Sequence, residues 1–187
     1  MLVNKYISAP RLKPLNYRSQ SSSPLDIHID GALQPCHDLA DLLFSTDHKR
    51  VPKHLTGGAI LLDSSSGRAQ HTYCVEFPHH LFTSPDSFDI ESMMVLTMLA
   101  TIDAERIVGA TFYIDNQTLV KQINLHSRTD HFPEDPVIST IKQMLQELNI
   151  TTYWICSHPE KRTKPTSWTQ SDKANYSADK LTIDDVE

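Results

Sequence analysis

Cysteine is scarce in this chain, and its scarcity excludes two kinds of small-protein scaffold. Cys36, Cys74 and Cys156 cannot all pair, and no two stand at a close Cys-x-x-Cys spacing, so neither a disulfide framework nor a zinc knuckle is indicated. They read as reduced core or strand residues of an intracellular protein, cytoplasmic or nuclear. Long apolar runs are missing too. Nothing approaches the ~18 apolar residues of a membrane-spanning helix, and the N-terminus lacks the compact apolar stretch of a secretory signal, so no membrane partner is expected. Basic residues are the minority charge, 17 Lys and Arg against 23 Asp and Glu, for a net charge of −6. Phosphate contacts draw on Lys and Arg, so a tight, independent nucleic-acid binder is disfavoured. The 187 residues, 39% hydrophobic, suffice for one domain with a real core.

Acids are absent before Asp26, whereas Lys5, Arg11, Lys13 and Arg18 are present and residues 19–24 are Ser-rich without helical or strand period. Residues 1–24 therefore read as a basic tail or linker, left by an upstream domain or serving as an organellar transit peptide. The domain proper is expected over 25–187. Residues 25–32 alternate as a strand that runs into a glycine turn. An insertion of roughly twenty residues follows at 34–56, with a short helical pattern at 38–44; Asp38, Asp41 and His48 in it read as surface groups. Hairpin strands at 58–62 and 69–77 flank turn chemistry at 63–68. His79 and His80 are adjacent and would point apart on an extended segment, so they read as a loop pair. One long amphipathic helix is expected over 90–107, its methionines filling core. A strand at 107–114, helices at 117–124 and 136–148, and a β-branched and aromatic strand at 150–156 complete the pattern.

Four acids fall at consequential places in this pattern. Asp30 ends the first alternating run, Glu91 opens the long helix, Asp115 follows the strand at 107–114, and Asp179 lies on a last helix. Carboxylates crowded into one cleft repel unless divalent cations sit among them, so the set makes sense as a metal site. Lys161, Arg162 and Lys164 follow His158, while Lys121 and Arg128 lie along the helix after Asp115. These read equally as solvated faces or as a cleft border.

The segment Phe112-Tyr-Ile-Asp-Asn-Gln-Thr-Leu-Val-Lys-Gln-Ile123 resembles the second-Asp segment of the ribonuclease H family. Asn175-x-x-Ala178-Asp179-x-Leu181 is similar to that family's C-terminal signature, and His158 upstream to its mobile-loop histidine. Ile27-His-Ile-Asp-Gly-Ala32 resembles the first-Asp strand, with Ala where Ser is usual, and Ser87-Phe-Asp-Ile-Glu91 resembles the helix-opening Glu segment. The resemblance spans about 25 to 183, and the four matches stand in the family's order.

It implies an α/β fold of five strands, three antiparallel and then two parallel, with helices on both faces. Asp30 and Asp115 would lie on neighbouring central strands, with Glu91 and Asp179 reaching them from helices. It further implies a metal-dependent endonuclease that cuts the RNA strand of RNA–DNA hybrids with two Mg²⁺ ions, Mn²⁺ being possible. Asp30 would bridge the ions, Glu91 and Asp115 would complete one site and Asp179 the other, and His158 would assist proton movement or product departure. Ser87, Asn116, Gln117, Lys161 and Arg162 would contact the hybrid, Gln117 in the minor groove where 2′-hydroxyls mark RNA. The link at 127–133 has no room for the basic extra helix of larger members. The chain thus resembles the shorter retroelement form, which relies on a polymerase domain of the same polyprotein for grip. Two other classes stay open: a non-catalytic scaffold or nucleic-acid-binding domain of a larger assembly, and a nuclease of the same superfold acting on DNA.

Overall fold

The computed structural model describes residues 23–35, 52–82, 85–125 and 135–184. The basic tail up to residue 22, the helical pattern at 38–44, and His126, Arg128 and the 127–133 link lie outside the described residues. Ten regular elements are described: β1 (Leu25–Pro35), β2 (Pro52–Asp63), β3 (Ala69–Glu76), α1 (Ser87–Thr101), α2 (Ala104–Ile107), β4 (Thr111–Ile114), α3 (Gln117–Asn124), α4 (Pro136–Glu147), β5 (Thr151–Trp154) and α5 (Gln170–Asp184). None of these helices is long and apolar enough to cross a membrane.

The strands form one sheet in the order β3-β2-β1-β4-β5. Pairing is antiparallel from β3 through β2 to β1 and parallel from β1 through β4 to β5. Alternation explains how β1 is used. Leu25, Ile27 and Ile29 are buried in the larger core with Phe112 and Ile114 of β4 and with α1, α3 and α4. Asp26, His28 and Asp30 consequently face the opposite side, where α5 lies. β2 is apolar on both faces: Leu61 and Ala59 join the larger core, while Ile60 and Leu62 pack with Ala174 and Ala178 of α5. A strand between helical layers on both sides needs such a continuous run.

Several boundaries differ from the sequence expectation, each for a local reason. The glycine turn expected after Asp30 is strand: Gly31 pairs with Gly57, and β1 continues to Pro35 opposite Pro52. The flanks of the 34–56 insertion, 34–35 and 52–56, are therefore paired strand rather than loop. The helix expected over 90–107 is two. It begins at Ser87 with a capping box between Asp86 and Asp89, and ends where Ile102 turns extended. Asp103 restarts the chain as the first residue of a new turn, accepting the N–H groups of Arg106 and Ile107 at 2.9 and 3.1 Å. Ile107 closes α2, Gly109 turns the chain at φ 72°, and strand pairing begins only at Thr111. The last strand is likewise short, so Cys156 is an exposed residue beyond β5, not core.

α1 is buried on most of its surface, through Ile90, Met94, Val95, Met98 and Leu99. An all-round apolar helix belongs inside, and here it runs against β1 with α3 and α4 outside it. Glu91 and Ser92 are carried into the interior with it. The parallel pairing of β1 with β4 ends at Ile29 and Ile114. Asp30 and Asp115 are the next residues on neighbouring strands, at the point where sheet order reverses and open α/β sheets place their clefts.

Candidate active site

Asp30 is 7% exposed and Glu91 3% exposed, and Asp115 is partly covered. Each of the three offers a carboxylate oxygen, and these oxygens all lie within 4.8 Å of one another. Asp30 comes from the middle of β1 and Asp115 from the residue just after β4, and Glu91 comes from the second turn of α1. Its approach depends on Gly31, where a Cβ would stand 2.9 Å from the Glu91 Cγ and 3.0 Å from its backbone nitrogen. Asp179 is outside this tight group, but it approaches Asp30 from the α5 side closely enough for its charge to raise the Asp30 carboxyl. The site is thus loaded from both faces of the sheet.

Burial and crowding make these carboxyls reluctant to ionise. Burial, then the charges of Asp115 and Asp179, hold Asp30 well above the usual carboxylate range, against the 2.7 Å N–H of Gly31. Burial, then Asp115 and Asp30, pushes Glu91 up to about 10. Asp115 is raised as well, chiefly by burial, while its contact with Glu91 and the nearby His158 work in the opposite direction. Bringing a cation among them would reverse all three shifts. The donor set fits a hard divalent ion, being carboxylate oxygen throughout. One atom argues for such an ion directly: among the described residues, Glu91 Oε2 is buried without a hydrogen-bond partner, a costly state for a carboxylate oxygen.

His158 is exposed and left-handed at φ 50°, ψ 61°, with Nδ1 3.3 Å from the Glu160 carboxylate. Glu160 opposes it within a short 3-10 turn, Pro159–Lys161. Lys161 and Lys164 are exposed on the same loop. Arg162 is exposed too, and its guanidinium also has partners on its own loop. Its guanidinium donates to the carbonyls of Cys156 (3.1 Å) and Ser157 (3.4 Å) and pairs with Asp172 at 3.1 Å, fastening the His158 loop to the start of α5. Asn116 is similarly occupied. It caps α3 by accepting from the Leu119 N–H at 3.1 Å, and its amide donates to Glu91 Oε1 at 3.4 Å. Gln117 and Ser87 are exposed first residues of their helices.

Three neighbours carried no role in the sequence reading. The indole of Trp154, 46% exposed, donates to the Asp115 carbonyl at 3.1 Å and anchors that residue's backbone. His28 is buried and stacks on Tyr113, with centroids 4.6 Å apart and planes 10° apart. Burial lowers its pKa to about 4, which keeps the ring neutral. Asn175, one turn before Asp179, is buried too. Period two along β1 puts His28 on the Asp30 face, and helical spacing puts Asn175 on the Asp179 face. Those were the signals available.

No protein-family model and no curated protein matches the chain. Solved structures do match. Prototype foamy virus protease-reverse transcriptase aligns at 10% identity over 89% of this chain and 21% of that one, with a TM-score of 0.54. The foamy viral protease-reverse transcriptase in complex with RNA/DNA hybrid aligns at 9% identity over 94% and 23%, with a TM-score of 0.50. Ribonuclease H1 from the halophilic archaeon Halobacterium salinarum aligns at 12% identity over 75% and 92%, with a TM-score of 0.48. The fold is that of ribonuclease H. This ribonuclease H-like chain spans about a fifth of the reverse-transcriptase chains it matches, and at such identities the likeness speaks to architecture. The chemistry rests on the carboxylates themselves.

Proposed function

We propose that this chain is a metal-dependent endoribonuclease that cleaves the RNA strand of RNA–DNA hybrids, as the ribonuclease H part of a retroelement reverse transcriptase. The observation that carries the reading is the convergence of Asp30, Glu91 and Asp115 within 4.8 Å at the sheet's switch point, with Glu91 Oε2 buried and without a partner among the described residues. A scaffold has no use for so costly a cluster. Asp30, Glu91, Asp115 and Asp179 would hold two Mg²⁺ ions, with Mn²⁺ an alternative of the same hard-oxygen preference. The chemistry such metal would supply there is activation of a water and stabilisation of the leaving 3′ oxygen.

The remaining residues bind, orient or move protons. Asn116 and Trp154 fix Glu91 and the Asp115 backbone through the hydrogen bonds described above. His158, exposed on its clasped loop near Asp115, carries a proton between solvent and the scissile group. Gln117, Ser87 and Lys161 are exposed and available to the hybrid, Gln117 to the groove where 2′-hydroxyls distinguish RNA. Arg162 serves the substrate through the loop it fastens. Two of the structural matches are protease-reverse transcriptases, one of them holding RNA/DNA hybrid, which supports a polymerase domain as the partner that provides grip.

The test is cleavage of end-labelled RNA–DNA hybrid, duplex DNA and duplex RNA, each with Mg²⁺, Mn²⁺ or a chelator. RNA-strand cuts confined to the hybrid and abolished by the chelator are expected. Cleavage of duplex DNA instead, or chelator-resistant cutting, overturns the assignment.

A further inference from the structure

Five of the chain's 17 Lys and Arg stand between residues 161 and 180, in a chain whose net charge is −6. Arg162 is taken up by its own loop and by Asp172. Lys161, Lys164, Lys173 and Lys180 pair with no carboxylate among the described residues. The acids interspersed with them are engaged elsewhere. Glu160 lies 3.3 Å from His158 Nδ1. Asp172 holds Arg162 at 3.1 Å and accepts the Thr169 N–H and hydroxyl at 2.9 and 2.7 Å. Asp179 approaches Asp30. Positive charge is thus left over on one stretch of an acidic protein.

The helix sorts that charge onto one face. Ala174, Asn175, Ala178 and Thr182 are buried on the sheet side of α5, and at about 100° per residue Lys173, Tyr176 and Lys180 fall together on the opposite side. Tyr176 is the centre of this face: Lys180 Nζ stands 5.7 Å from its ring centroid, and Trp168 packs on it with centroids 4.9 Å apart and planes at 53°. Both rings are half-buried, and the Trp168 indole donates to the Thr163 carbonyl at 3.1 Å. Lys161 and Lys164 are exposed on the loop that leads to Trp168, which Arg162 fastens to Asp172 of α5. The face also has a direction. Gln170, the first residue of α5, donates to the Gly67 carbonyl in the β2–β3 turn, whereas Ala178 lies against Gly58, the pairing partner of Asp30. Lys180 follows Asp179 directly, so this end borders the carboxylates, and Lys173 lies about 10 Å back along the helix.

We propose that Lys161, Lys164, Lys173 and Lys180, with the Trp168–Tyr176 pair, form a track for single-stranded nucleic acid that leads away from the carboxylates along α5 and holds the unpaired strand continuing past the hybrid. Cations set among accessible aromatic rings are the chemistry of single-strand binding, in which lysines follow the phosphates and rings stack on bases of any sequence. A duplex is stiff over this length, so hybrid seated on the carboxylates cannot turn to follow the helix. A single strand can. The inference rests on the proposed function in one respect, that the strand held belongs to the substrate cut at Asp30, Glu91 and Asp115.

The test is fluorescence anisotropy in chelator, with a labelled single strand of about 20 nucleotides, a blunt hybrid, and the same hybrid carrying a single-stranded extension at one end or the other. Salt is varied from about 50 to 200 mM. The proteins are the parent, Lys173→Gln/Lys180→Gln, Tyr176→Leu, and a control, Lys121→Gln/Lys142→Gln, whose lysines lie on α3 and α4 across the sheet; melting curves check that each is folded. An extension should tighten binding of hybrid to the parent roughly tenfold, the worth of about one stacked base. Lys173→Gln/Lys180→Gln should lower the salt slope on the single strand by about 1.4, the share of two phosphate contacts. Tyr176→Leu should keep the slope and lose most of the tenfold gain, and the control should keep both. If Tyr176→Leu does not fold, the lysine pair alone decides. No gain from an extension at either end, or equal losses in the α5 lysine pair and the control pair, overturns the track. Cleavage of the blunt hybrid with Mg²⁺ decides separately whether the proposed function stands.

Discussion

Glu91→Gln should make the metal-free protein more stable at neutral pH while destroying its response to metal. The side chain is buried, and its carboxyl is pushed up to about 10 by burial and by Asp115 and Asp30. Unfolded, it titrates near the ordinary value of 4.5. Above that pH the folded state holds a proton that the unfolded state has released, so stability falls as pH rises, until the folded group itself ionises. At 1.36 kcal/mol per pH unit, the parent loses about 3 kcal/mol between pH 4.5 and 7 on account of this one group. Glutamine has nothing to titrate and keeps an oxygen for the Asn116 amide. The expected gain at pH 7 in chelator is thus about 3 kcal/mol, or roughly 6–12 °C in melting temperature for a domain of this size. The assay is urea and thermal unfolding of both proteins in chelator at intervals from pH 4.5 to 8, then with Mg²⁺ at pH 7.5. Asp30 and Asp115 keep titrating in both proteins, so the difference between the curves reports mainly Glu91. Added metal should raise the parent alone, reversing the order of stability. Parallel curves in chelator across pH 4.5 to 7 would refute the reasoning, because they would mean that Glu91 ionises inside the fold without cost.

Asp30→Asn and Asp115→Asn should each abolish hybrid cleavage at saturating Mg²⁺ with the fold intact by circular dichroism; near-normal hydrolysis in either variant removes that carboxylate from the metal set. His158→Ala should slow multiple-turnover cleavage about a hundredfold, the order of a positioned acid–base group, while the metal titration stays unchanged; parental turnover would return His158 to the role of an exposed loop residue. Hybrid binding by the isolated chain should be weak, with a shallow slope between about 50 and 200 mM salt, since net charge is −6 and the Arg162 guanidinium is shared with the Cys156 carbonyl and Asp172; a steep slope in filter binding would contradict this. Gly31→Ala should cost roughly 1–3 kcal/mol and weaken the metal response, because its Cβ would press on Glu91 at 2.9 Å; an unchanged metal-dependent melting shift would show that α1 yields freely.

The elements most legible in the sequence were those whose cause is local. Helix α3 was readable to the residue, since Asn116 is a strong cap and Leu119, Val120 and Ile123 repeat at helical spacing. The pairing of three antiparallel and then two parallel strands, with those of Asp30 and Asp115 adjacent at the centre, followed from the family resemblance, and the structure has it. The break at residues 102 and 103 was hidden by an apolar stripe that continues to Ile107, so periodicity alone ran two helices together. Arg162 was hidden for another reason. Composition does not say whether a guanidinium faces solvent or its own loop's carbonyls, and here it takes the carbonyls.

Gly31 shows most clearly what a local reading omits. A glycine after a strand acid looks like a turn, yet its reason for being glycine is a helix sixty residues away in sequence, which brings Glu91 against it. A glycine on the adjoining strand repeats the device from the other face. Gly58 pairs with Asp30, and a Cβ there would meet the Ala178 carbonyl at 2.5 Å, on the turn of α5 that carries Asp179. The four acids can be gathered only because β1 and β2 are notched at these two places, one for each helix that delivers a carboxylate. A side chain at either notch would hold its helix off by the shortfall between 2.9 or 2.5 Å and an ordinary contact starting at 3.4 Å, enough to spread oxygens that a cation must touch together. The geometry of the site is therefore specified as much by two residues with no side chain as by the four that carry charge.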